Sequence, residues 1–306
     1  TTQAAMSGTN NSFYVNKGSN TIYMHVNQAP GSGIIRVPVY DRLFDANNVQ
    51  YFIMRGLTFQ TANPYLFDPA VNFNWSKHIL IEDCTFRTIG GTPLFTPDSG
   101  DVGSQMSEDF VIRRYQGLDN GRDGIHLGYR MMNVLVEDAY ILRNGWRYDW
   151  SNYTGADPSA VGKNMFTKNI TYRRISVRDN VIRGLWFDNA NWNTSLLDSY
   201  VRLNKQGGMW IEINPQGVDV RNSAFSENID EGLNITNSEG VILDNNIVYQ
   251  NQTSPYWGIL SSWEPNQYRD ADGIRPGTNL PWNLGGPNYY THNTKLTNNY
   301  IVGGAA

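Results

Sequence analysis

The chain has 306 residues, 17% of them charged, a formal charge of −4 at neutral pH and a single cysteine, Cys84. That length supports a large core in one solenoid domain. The acidic balance with scattered basic residues argues against nucleic acid, no apolar run approaches the ~18 residues of a membrane span, and one cysteine excludes an internal disulfide or a cysteine-built metal site.

In chain order, Ser12–Asn16 and Thr21–Val26 flank the turn sequence Lys17-Gly18-Ser19-Asn20, which predicts a hairpin. Another strand is expected over 34–39. We read 1–45 as an antiparallel β segment leading into a longer repetitive region, 46–306. Strand-like alternation then recurs at 49–54, 76–81, 107–112, 132–136, 168–172, 194–197, 217–220, 240–243 and 295–301, or roughly nine units. Cys84 falls in this alternation between Ile79, Ile81 and Phe86, so it is expected to pack and not to react. Turn-rich or aromatic insertions interrupt the period at 97–106, 145–161 and 261–293. In solenoids such insertions fall on the binding face. The aromatic-rich insertions at 145–161 and 261–293 are therefore expected to wall a cleft, with Trp146, Trp150 and Trp263 among their side chains. The chain begins at Thr1 without a signal-peptide pattern, so a preceding segment and a secreted or periplasmic location are expected.

The period is plainest where one pattern returns every 24 residues: Gly184-Leu185-Trp186-Phe187-Asp188, Gly208-Met209-Trp210-Ile211-Glu212 and Gly232-Leu233-Asn234-Ile235-Thr236. Asn180, Asn204, Asn228 and Asn251 follow at steps of 24, 24 and 23 at a second position. Asparagine suits tight corners and can bond to its equivalent one coil away. Together these predict an all-β chain, a right-handed parallel β-helix with coils of about 24 residues.

Side chains alternate faces along a strand. With Leu185, Phe187, Met209 and Ile211 inward, Trp186 and Asp188 face outward on one coil, Trp210 and Glu212 on the next. Stacked strands lie about 4.8 Å apart, which predicts neighbouring carboxylates at the separation of about 5–5.5 Å used by retaining glycosidases. Two such carboxylates repel, and repulsion would keep one of them protonated as an acid. The alternative is a row of solvated surface acids. The third copy keeps Gly232, Leu233 and Ile235 but carries Thr236 in place of the acid.

The two Trp-bearing motifs resemble the paired catalytic strands of glycoside hydrolase family 120, β-xylosidases on a right-handed β-helix. Asn74-Trp75-Ser76-Lys77, Ile81-Glu82-Asp83 and Met54-Arg55-Gly56-Leu57-Thr58-Phe59 extend the resemblance over about 12–250. It implies Asp188 as nucleophile and Glu212 as acid/base. Family members have a longer N-terminal part with a β-sandwich, and a His-Glu pair where this chain has Ala156-Asp157-Pro158-Ser159-Ala160-Val161-Gly162-Lys163. Asp157 and Lys163 are the sugar-contact candidates there. His126 is expected on the same outward face, with Trp186 and Trp210 as further sugar contacts.

The expectation is a retaining, xylosidase-like glycoside hydrolase acting on plant-type oligo- or polysaccharides, with no metal or cofactor. Two rivals remain open. A polysaccharide lyase acting on uronates would draw on Asp119, Arg122, Asp123 and His126. A non-catalytic sugar-binding β-helix or fibre would use none of them.

Overall fold

The computed structural model describes residues 12–16, 18–19, 21–25, 38–64, 68–95, 106–150, 160–214, 216–252, 291 and 293–302. Contacts divide the chain into two units, Thr1–Val37 and Pro38–Ala306. In the first, strands Ser12–Asn16 and Thr21–His25 pair antiparallel with Ser12 opposite His25, the expected hairpin. The Asn16 side-chain oxygen accepts from the Gly18 and Ser19 amides at 3.0 and 3.3 Å, so an Asx-type turn closes the loop. Residues 34–37 of the expected next strand lie outside the described residues.

The second unit is the expected β-helix, and its strands pair in parallel throughout. The strands line three faces. The first carries the site described below. The second runs from Gln50–Arg55 through Lys77–Glu82, Ser107–Arg113 and onward to Lys295–Thr297. The third is a nine-stranded sheet from Thr58–Gln60 to Tyr300–Ile301, one strand per coil, so the count of roughly nine coils holds. Two long strands, Ile125–Glu137 and Ala160–Arg173, bend from the first face into the second. The insertions appear as lengthened steps. Thr85 neighbours Gln116 and corner asparagine Asn120 bonds 31 residues back to Ile89, Asn144 bonds 36 residues on to Asn180, and Asn246 bonds 53 residues on to Asn299. The first step, Gln50 to Lys77 and Thr58 to Thr85, is 27 residues, and between the corner asparagines from Asn180 to Asn251 the step is 23 or 24.

The corner asparagines form the expected ladder, and it is longer than the sequence period suggests. Asn120, Asn144, Asn180, Asn204, Asn228 and Asn251 are all fully buried. Each side-chain amide donates to the next side-chain oxygen, at 2.9–3.2 Å, and that oxygen also accepts the preceding backbone N–H. An asparagine has a donor and an acceptor on one short stem, so it can pass the pattern on coil after coil without leaving a buried polar atom unmet. The ladder also accounts for the glycine that opens each repeat. A Cβ on Gly184 would sit 2.6 Å from the Gly208 carbonyl oxygen and 2.9 Å from the Asn204 amide nitrogen. No side chain fits where the corner amide crosses behind the strand.

Inside, Ile, Leu, Val and Phe from all three faces make one apolar core that includes Leu185, Phe187, Met209, Ile211, Leu233 and Ile235. Aromatic rings stack within it: Phe59 on Phe86 at 4.9 Å, Phe86 beside Tyr115 at 5.0 Å, and Tyr172 on Phe187 at 5.5 Å. Cys84 is fully buried, its thiol directed at the Glu82 and Met54 carbonyls, and burial raises its pKa.

Candidate active site

The first face consists of Phe44–Asn47, Pro69–Asn74, Thr92–Phe95, the leading halves of Ile125–Glu137 and Ala160–Arg173, then Arg183–Asp188, Met209–Glu212 and Leu233–Thr236. In-register pairing turns sequence spacing into columns. His126, Lys163, Trp186, Trp210 and Asn234 stand in one outward column, each on the next coil. Two residues further along, Met165 pairs with Asp188 and Glu212 with Thr236. The Asn189 amide donates to the Glu212 carbonyl at 3.1 Å, which sets Glu212 beside Asp188 in that column.

Five candidates thus meet on adjacent coils: His126, Lys163, Trp186 and Asp188, with Trp210 following. Glu212 neighbours them in register. Their surroundings differ from the solvated sheet expected from alternation. They face away from the core, yet His126 is 2% exposed, Lys163 3%, Asp188 4% and Trp186 5%, while Trp210 and Glu212 are half-buried. A second small apolar cluster, Met165, Phe166 and Ala190 with Met106 and Trp192, is buried outside the main core.

The charge next to Asp188 is also not the one expected from two repelling carboxylates. Its Oδ2 lies 3.1 Å from the Lys163 ammonium, on the coil before; Glu212 is on the coil after. Among the described residues, Asp188 Oδ1 is buried with no hydrogen-bond partner. A carboxylate this deep requires a counter-charge, and Lys163 supplies it. The same ammonium lies 3.7 Å from the Trp186 ring centroid. Trp186 in turn stacks on Trp210 with centroids 4.8 Å apart and planes 11° from parallel. The Arg183 guanidinium is 4.6 Å from the Trp210 ring, and the Trp210 indole N–H donates to Thr236 Oγ1 at 3.2 Å.

Next to Lys163 lies a second buried group. Asp123 Oδ2 accepts from Thr92 Oγ1 and Arg122 Nη1, each at 2.8 Å, and meets His126 Nδ1 at 3.3 Å. Burial pushes the His126 pKa down, outweighing the pull of Asp123 upward. A neutral imidazole donating Nδ1–H to Asp123 fits this environment. Asp119 belongs elsewhere: it is exposed at a corner and paired with Arg143 at 2.7 Å.

Trp146 is half-buried at the asparagine corner, its indole N–H donating to the Asp119 carbonyl at 2.9 Å. No contact brings it to Asp188. Trp150 ends a four-residue helix, Arg147–Trp150; its side chain, and Asp157 and Trp263 altogether, lie outside the described residues. Sequence reasoning missed the Arg183–Glu231 pair, 3.1 Å apart and both nearly buried. The signal was there, one residue before each repeat glycine: Asp123, Arg183, Gly207 and Glu231. Gly207 lies between Arg183 and Glu231 and lets them meet across it. Among the described residues, no three His, Cys, Asp or Glu side chains gather as a metal site.

Fold and site together define a parallel β-helix that carries a buried polar site on one face. Residues 69–252, more than half of the chain, match the family model described as right handed beta helix region, and the chain belongs to that family. Among solved structures it is similar to the A-module of the mannuronan C-5 epimerase AlgE6 of Azotobacter vinelandii, at 14% identity and TM-score 0.53, over 86% of this chain and 68% of that one. It is similar also to a point mutant of the periplasmic alginate epimerase AlgG, at 12% identity and TM-score 0.53, over 84% and 70%. The complex of XylC with xylose gives 12% identity and TM-score 0.57, over 94% of this chain and 52% of that one. At these identities the likeness is one of fold. No match was found among curated proteins.

Proposed function

We propose that this chain is a retaining glycoside hydrolase, with Asp188 as nucleophile and Glu212 as acid/base. One observation carries the reading. Asp188 has one oxygen held by Lys163 while the other, though buried, has no hydrogen-bond partner among the described residues, and Glu212 follows one coil on in the same column. A held carboxylate with one free lone-pair face is what nucleophilic attack on an anomeric carbon requires. The one-coil offset, about 4.8 Å between strands, suits the carboxyl separation of about 5–5.5 Å that goes with retention. Asp188 attacks the anomeric carbon while Glu212 protonates the departing oxygen, giving a glycosyl ester on Asp188. Glu212 then takes a proton from water as the water cleaves that ester. The xylose-bound relative puts β-xylosides first in the screen, and a periplasmic relative fits an enzyme working on saccharides outside the cytoplasm.

The test is a screen of aryl glycosides, with the anomer of the first product read by NMR. Retained configuration, and a loss of about 10²–10⁴-fold in Glu212→Gln and at least as much in Asp188→Asn, is the expected result. Full activity in either variant overturns it. A second reading, a lyase acting on uronates, draws on the buried His126–Asp123 pair beside Arg122. In that case products would carry a new C=C bond absorbing in the ultraviolet, and His126→Gln, not Glu212→Gln, would abolish them.

A further inference from the structure

We propose that Trp186 is a positioning residue that acts through Lys163, and not a platform for a sugar ring. This rests on the nucleophile assignment for Asp188. A stacking platform must offer a face, and Trp186 has none to offer. Lys163 comes from the coil before and stands 3.7 Å from its centroid, while Trp210 comes from the coil after and stacks on it at 4.8 Å. All three occupy one in-register column, so the ammonium and the second indole take opposite faces. What remains of Trp186 is 5% exposed.

The arrangement has a purpose that a sugar platform would not serve. A lysine side chain has four rotatable carbons and a compact, strongly hydrated head, so its stem leaves the position of the head loosely determined. An indole face attracts a desolvated ammonium and restrains it along the ring normal. Trp210 backs the indole, and the Arg183–Glu231 pair backs Trp210 through the guanidinium 4.6 Å from its ring. The column therefore mounts Lys163 so that its ammonium reaches Asp188 Oδ2 at 3.1 Å and leaves Oδ1 clear. The mount accounts for the tryptophan recurring at the same position in exactly the two coils that carry the acids.

The experiment has two independent readouts. The first needs no substrate. In protein with ¹³C,¹⁵N-labelled lysine, one Hε resonance, assigned by its disappearance in Lys163→Met, is expected upfield from indole ring current. It should return to the ordinary range in Trp186→Leu and stay displaced, though less, in Trp186→Phe. No displaced lysine resonance, or one that survives in Trp186→Leu, overturns the mount. The second readout uses the glycoside found in the screen. Trp186→Leu should lower kcat about tenfold with KM nearly unchanged. Trp186→Phe should recover most of that loss, and Trp186→Leu should cost nothing further once Lys163 is methionine. A raised KM with kcat intact, or additive losses in the double variant, would restore the platform. If the protein turns over no glycoside, the hydrolase reading fails, and the lysine resonance still decides whether Trp186 holds Lys163.

Discussion

Replacing Lys163 by methionine keeps the length of the side chain and removes its charge. The Lys163 and Asp188 side chains are 3% and 6% exposed, and among the described residues the ammonium, at 3.1 Å, is the cation paired with that carboxylate. Without it, Asp188 must stay ionised in a dry site or take up a proton. Leaving a buried charge unpaired costs about 3–5 kcal/mol. Protonation caps the cost: neutralising a carboxyl of ordinary pKa takes about 4 kcal/mol at pH 7 and about 1.5 kcal/mol at pH 5. The difference in unfolding free energy between wild type and Lys163→Met should therefore be about 3–4 kcal/mol at pH 7 and shrink by more than half at pH 5. The sign follows from linkage. In the variant Asp188 binds a proton more readily folded than unfolded, so the variant gains stability relative to wild type as pH falls toward about 4. Urea unfolding at the two pH values measures it. A difference below about 1 kcal/mol, equal at both pH values, would mean a pair screened like a surface one and would refute the reasoning.

Three further outcomes follow from the same geometry. Asn204→Ala removes a buried amide that donates to Asn228 and an oxygen that accepts from Asn180, both at 2.9 Å; a loss of about 2–4 kcal/mol, or about 5–10 °C in melting temperature, is expected, and a change below about 0.5 kcal/mol would mean that the corner bonds are replaced without cost. His126 has its pKa lowered below the ordinary 6.5 by burial, so the unfolded chain binds the proton first and stability should decline as pH falls below about 6.5; His126→Gln should flatten that decline, and identical slopes between pH 7 and 5 in the two proteins would show the ring to be hydrated. Gly207→Ala would place a Cβ 2.7 Å from Glu231 Oε1 and 3.2 Å from Arg183 Nε; a destabilisation of about 1–3 kcal/mol is expected in thermal melts, and an unchanged melting temperature would mean that the Arg183–Glu231 pair yields freely.

Much of this protein is legible along the chain because a solenoid is nearly one-dimensional: neighbours in space are neighbours one period away. The Gly-Leu-Trp-Phe-Asp and Gly-Met-Trp-Ile-Glu copies state the coil length, which residues face inward, and that Trp186 meets Trp210 and Asp188 neighbours Glu212. Four asparagines at steps of 24, 24 and 23 announce the corner ladder. Asn120 and Asn144 escaped that count because an insertion lengthens the step from Asn144 to Asn180 to 36 residues, and a broken period hides equivalence that the fold keeps.

The partner of Asp188 was decided only in three dimensions. The strand before it has no repeat glycine in the matching place: Val161 takes the position of Gly184, and Gly162 pairs with Leu185. Aligning glycine with glycine would set Lys163 against the inward Leu185. The true register sets it against Trp186, and a one-residue slip is the difference between the core and the outer face. Whether an outward side chain meets water or another side chain is likewise absent from a period of two, which records direction and not depth. The sequence by itself determined the helix, its coils and the column in which the carboxylates stand. Tertiary packing decided that this column is buried and that a lysine from the coil before, not a second acid, balances Asp188, because depth and counter-charge are not recorded in the alternation of the repeat.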